Sequence, residues 1–138
     1  MTKIIEGKNA VMGRLASYAA KEALKGEEIV IVNCDQVIIT GKKEFIKRDL
    51  EEKRKRMGTI QKGPKISRSS DKIVKRAIRG MLPNYRQGRG RVAWKKIKCY
   101  IGVPKKFQET KKISFVRDKK VKSIQVKELR KLQNKEEK

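Results

Sequence analysis

No histidine occurs anywhere in the chain. Its absence removes the commonest general base at neutral pH, and with it the usual Ser-His and Cys-His nucleophile pairs. An enzyme built on carboxylates or lysine is left open. Cysteine is almost as scarce, with Cys34 and Cys99 the only two. They lie far apart and outside any CxxC pattern, which argues against a zinc site and against a redox dithiol. Each sits in an apolar run and reads as a small buried hydrophobe. Long apolar stretches are missing too. None approaches the roughly 20 residues needed to span a bilayer, and the start, MTKIIEGK, has no apolar signal core followed by a cleavage site. The expectation is a soluble, intracellular protein with no membrane partner.

Acidic residues are in short supply. The 138 residues hold 15 Asp or Glu against 39 Lys or Arg, a formal net charge of +24. Such a balance points to a polyanionic partner. The excess is not spread evenly. Residues 1–41 carry five basic and five acidic side chains, so the whole surplus falls on residues 42–138. From Lys62 to Lys106 there are fifteen Lys or Arg and one acid, Asp71. The first third therefore reads as an ordinary half-core and the remainder as the partner surface.

At 37% hydrophobic and 39% charged, the chain has material for one modest core and a long polar extension. The expected division is an α/β unit over residues 1–104 and a basic C-terminal extension over 105–138. Ile4-Ile5 suggests a short strand. Val11, Leu15, Ala16, Ala19 and Ala23 recur every three or four residues and predict a helix with one apolar stripe, Asn9 as N-cap and Gly26 just past its end. Gly13 inside that helix suggests close approach of a backbone or a phosphate. Glu28–Asn33 is a continuous β-branched run, the mark of a strand covered on both faces. Val37–Thr40 repeats the signal. Strand, helix, strand is a βαβ unit of a parallel sheet.

Lys42–Arg56 predicts a charged helix with Phe45, Ile46, Leu50 and Met57 as apolar contacts. Its terminal run, Lys53–Arg56, is open between a solvated helix end and RNA contact. A loop with Gly58, Gly63 and Pro64 precedes a helix capped by Ser69 or Ser70, with Asp71 facing the positive helix end. Ile73, Val74, Ala77, Ile78 and Met81 form its apolar stripe, and Lys72, Arg76 and Arg79 share the opposite face. Asn84–Arg91 reads as a glycine–arginine loop, followed by a short helix to Lys96 with Ala93 inward and a strand over Lys98–Ile101. Ile113, Phe115 and Val116 suggest an extended piece, and Val126, Leu129 and Leu132 a last short helix. The loop and tail are expected to order on binding, because their composition supports no core of their own.

Two glycine patterns imitate cofactor sites. Gly7–Gly13 resembles a phosphate-binding loop, but it is one residue too long, and neither the lysine nor the Ser/Thr follows. Gly88-Arg89-Gly90-Arg91-Val92-Ala93 fits the dinucleotide fingerprint, yet no strand precedes it. No cofactor, metal or small-molecule substrate is expected. The basic face is the stronger signal. Lys65, Arg68, Lys72, Arg76, Arg79, Arg86, Arg89, Arg91 and Lys95 are the candidate RNA-binding residues. Arginine forks onto phosphate, and Tyr85 and Trp94 offer faces for bases.

These residues also carry a resemblance. Gly13–Ser17, Val32-Asn33 with Ile39-Thr40-Gly41, Arg79-Gly80-Met81-Leu82-Pro83 and Tyr100–Pro104 occur in an order similar to the L13 family of large-subunit ribosomal proteins, over about residues 3–107. The length and the Gly88–Arg91 stretch look like the archaeal and eukaryotic branch, nearer its archaeal end. The histidine-bearing loop of the bacterial branch is missing, and Ser69-Ser70-Asp71 replaces the Arg-Pro-Asp usual in this branch. The resemblance implies a three-layer α/β/α fold with a four-stranded parallel sheet. It implies a non-catalytic place in the large subunit of the cytoplasmic ribosome, one copy per particle, bound to rRNA and neighbouring ribosomal proteins. The competing readings are an RNA-modifying enzyme on an α/β scaffold and a general nucleic-acid chaperone.

Overall fold

The computed structural model describes residues 1–56, 66–116 and 121–131. Its centre is a four-stranded, fully parallel sheet in the order β4-β2-β1-β5. Strand β1 is Thr2–Glu6, β2 is Glu28–Val32, β4 is Ile97–Cys99 and β5 is Ile113–Ser114. Helix α1, Met12–Leu24, is the crossover from β1 to β2. Its alanines let it lie close, and Leu15, Ala16 and Ala19 are wholly buried against Ile5, Ile29, Ile31 and Ile97 of the sheet. Gly26, in the left-handed region at φ 100°, ends α1 as its position predicts. Asn9 is not the N-cap. It turns the chain at φ 55°, and Val11 precedes the helix.

The unbroken apolar run of β2 is buried on both sides, as a central strand requires. One face carries α1 and α3, Ser70–Met81. On the other face Ile4, Val30 and Val32 lie under Tyr100, Val103 and Phe107, with a 3-10 turn at Lys105–Phe107. A groove of about 760 Å³ remains on this second face.

The apolar run after β2 forms a strand but leaves the sheet. Asn33 adopts φ 55°, its side chain donates to Glu6 Oε1 at 2.5 Å, and a 3-10 turn over Cys34–Gln36 redirects the chain. Strand β3, Ile38–Thr40, then pairs antiparallel with β6, Ser123–Gln125, in a separate two-stranded sheet.

Helix α2, Lys43–Lys55, buries no residue completely, and Phe45, expected as an apolar contact, is exposed. Ile46 and Leu50 instead line a recess of about 390 Å³ against Ile73, Ala77 and Leu129. Met57 lies outside the described residues. Described residues after Pro104 pack into the fold. Phe115 packs on Tyr18 with ring centroids 5.0 Å apart, and α5, Val126–Lys131, buries Val126 and Leu129.

Candidate nucleic-acid interface

Helix α3 begins where the sequence predicts. Ser69 is its N-cap residue, and its hydroxyl donates to the Asp71 carboxylate but accepts no hydrogen bond from the helix backbone. The carboxylate stays in the first turn, where the helix end is positive. Val74 and Ile78 are wholly buried and Ile73 and Ala77 partly so, which turns Lys72 and Arg76 outward. Met81, expected in the buried stripe, is exposed instead, because the helix ends there and the chain turns away at Leu82.

Only the first part of the glycine–arginine stretch, Asn84–Gln87, is a loop. Gly88–Lys95 is an α-helix, α4, and Arg89 and Arg91 stand exposed in its first turn. Two glycines make this possible in different ways. Gly88 occupies the left-handed region at φ 65°. At Gly90 a Cβ would run into the carbonyl oxygens of Pro83 and Asn84, so α4 is pressed against the end of the preceding turn. Ala93 faces the core, as its position predicts.

Pressing α4 onto the turn that follows α3 assembles an aromatic–cationic cluster. Tyr85 meets Trp94 edge-on with centroids 6.3 Å apart. The Arg79 guanidinium lies 4.7 Å and that of Arg86 5.6 Å from the Tyr85 ring centroid, and the Lys75 ammonium lies 4.8 Å from that of Trp94. Arg86 Nε donates to the Tyr85 hydroxyl at 3.3 Å. That hydrogen bond, then the Arg86 charge, holds the phenol below its usual pKa. Between the helices is a recess of about 170 Å³ lined by Ser67, Lys72, Lys75, Arg76, Arg79 and Trp94.

Of the predicted residues, Lys72, Arg76 and Arg79 converge on this recess, with Arg68 exposed just before the helix. Arg86, Arg89 and Arg91 continue the same run of charge around the start of α4. Lys95 does not join them. It sits on the rim of the second-face groove with Lys96, Lys98, Lys106 and Lys111. Lys65 lies outside the described residues. Sequence reasoning missed Lys75, although it sits three residues after Lys72 and four before Arg79, the spacing that places it beside both. Arg54, in the run left open between a solvated helix end and RNA contact, is partly buried, and burial, then the charge of Arg68, holds its guanidinium below its usual pKa.

Gly13, expected to admit a neighbouring backbone, has open space where its Cβ would be. Cys34 is wholly buried, and hydrogen bonding with Cys99, then burial, pushes its thiol pKa up. That is the opposite of what a nucleophile or metal ligand needs. Among the described residues, no group of His, Cys, Asp and Glu is arranged to hold a metal ion, and no helix is long and apolar enough to cross a membrane.

The family model for ribosomal protein L13 matches residues 1–106. The chain belongs to the ribosomal protein L13 family. It is 45% identical over 114 residues to the large ribosomal subunit protein uL13 of Methanocaldococcus jannaschii, covering 80% of this chain and 82% of that one. It is 50% identical over 104 residues to the uL13 of Methanococcus maripaludis, covering 73% and 75% of the two chains. With the uL13 of Methanococcoides burtonii the identity is 40% over 111 residues, covering 80% and 78%. All three relatives are archaeal, the branch to which the residue pattern pointed. The L13 match takes in the βαβ unit, α3, α4 and the cationic recess between them.

Proposed function

We propose that the chain is a structural component of the large ribosomal subunit that binds and stabilises its rRNA by neutralising phosphates. The relatives are named as large-subunit proteins, and those names support the assignment to the particle. The observation that carries RNA binding is the convergence of Lys72, Lys75, Arg76 and Arg79 on one recess, with no acidic side chain among the described residues that line it. Four cations held together by a rigid helix repel one another unless an anion sits opposite. Arg68, Arg86, Arg89 and Arg91 extend this surface, and Lys95 belongs to a second basic rim on the sheet face. The role is placement of RNA strands that would otherwise repel, with neighbouring ribosomal proteins as the other partners and one copy per particle.

The test is the salt dependence of binding to large-subunit rRNA fragments. With about six to eight phosphates neutralised, the plot of log affinity against log salt should have a slope of about −5 or steeper. Replacing Arg89 and Arg91 together by Ala should lower that slope by about 1–2 while leaving the thermal midpoint nearly unchanged, since both side chains are exposed. A flat salt dependence overturns the mechanism. A large loss of stability shows that the two arginines hold the fold instead. Equal competition by duplex DNA favours a general nucleic-acid chaperone.

A further inference from the structure

We propose that the recess between α3 and α4 receives one unpaired nucleotide, its base laid on Trp94 in the place where the Lys75 ammonium now rests. Lys72, Arg76 and Arg79 would hold its phosphates. The inference rests on the RNA-binding reading above and narrows it from a basic surface to a site for a single nucleotide.

Size is the first argument. At about 170 Å³ the recess has room for roughly five or six water molecules, close to the bulk of one nucleobase. The second is chemistry. Its lining combines one aromatic wall, four cations and the Ser67 hydroxyl, which are the three kinds of group that grip base, phosphate and sugar or base edge. Ser67 Oγ accepts from the Ser69 backbone N–H at 3.3 Å and so keeps its own proton to donate.

The third argument is the state of the aromatic wall. The Trp94 indole is braced at one side by Tyr85, 6.3 Å away between centroids, and its neighbour Ala93 is fixed in the core. The ring therefore stays in place. Its face is covered by the Lys75 ammonium at 4.8 Å, which sits on a flexible four-carbon stem. Base–aromatic stacking outweighs a cation–π contact at a half-exposed site. An arriving base displaces Lys75, which swings out to meet the phosphate that comes with it. A fully paired duplex keeps its bases stacked and offers only phosphates to the rim, so the recess selects bulges, loops and ends.

Trp94 is the only tryptophan in the chain, so its fluorescence reports on this wall alone. The full chain is titrated with a perfectly paired RNA duplex and with the same duplex carrying one bulged nucleotide. The bulged duplex should bind about tenfold more tightly and quench Trp94, and the paired one should leave the emission nearly unchanged. Trp94→Leu should reduce the affinity for the bulged duplex to that for the paired one. Because that variant also loses the Tyr85 contact, Lys75→Met provides the second arm: the wall is intact, and quenching by the bulged duplex should persist. Equal binding of both duplexes without quenching, or loss of the quench in Lys75→Met, overturns the nucleotide site and leaves RNA binding standing. Failure of both duplexes to bind at low salt overturns the RNA reading, and this inference with it.

Discussion

Glu22 is buried yet charged, 5% exposed and gripped from two sides. Lys25 donates to it at 2.8 Å from the end of α1, and Lys3 donates from β1. These two hydrogen bonds, Lys25 first, lower its pKa to about 2. Its contribution to stability is therefore complete above the ordinary carboxylate pKa of 4.5 and is lost as the pH falls through about 2. Thermal midpoints measured from pH 7 to pH 2 should stay level to about pH 4.5 and then fall. Glu22→Gln should lower the midpoint at neutral pH and flatten that acid limb. Glycine makes a second residue-scale contrast. Gly90→Ala drives a methyl into two carbonyl oxygens and should cost about 1–3 kcal/mol. Gly80→Ala meets open space on the exposed side of α3 and should add up to about 1 kcal/mol. Urea midpoints of the two variants check the opposite signs.

At the scale of elements, α4 decides what the basic segment is. The arginines of Arg86–Arg91 were expected on a disordered loop, but Gly88 and Gly90 let a helix begin there, and its first turn presents Arg89 and Arg91 from a rigid base. Helix α5 does similar service at the far end. Its Leu129 is 2% exposed, the Val126 N–H donates to the Val37 carbonyl at 2.9 Å, and Glu128 reaches Lys43 of α2 at 3.7 Å. Leu129→Ala should cost about 2–4 kcal/mol, read from chemical denaturation. A segment that merely trailed from residues 1–104 would tolerate the change without loss. Helix α2 is the converse: Phe45 is 58% exposed, and no side chain of α2 is fully buried.

On the scale of the whole molecule, the net charge of +24 opposes its own compaction. Salt should therefore act in two directions. Raising it from about 0.05 to about 0.5 M shortens the screening length severalfold, which should raise the thermal midpoint of the protein alone while weakening its hold on RNA. Melting curves and binding isotherms in the same buffers would show the crossing trends. What the amino-acid order determined unaided is whatever depends on neighbours along the chain. That includes the alanine stripe of α1, the doubly covered run of β2, the start of α3 at Ser69 or Ser70, and the gathering of cations after residue 41. The motifs Arg79–Pro83 and Tyr100–Pro104 carried the family as well. Only the tertiary structure decided that β3 leaves the main sheet to pair with β6, that Val126 and Leu129 are buried with Phe115 packed beside the core, that Lys95 parts from the other cations, and that Lys75 covers Trp94. Each of these depends on a long-range pairing or on a close approach between helices, and periodicity along a segment holds no record of which distant segment it will meet.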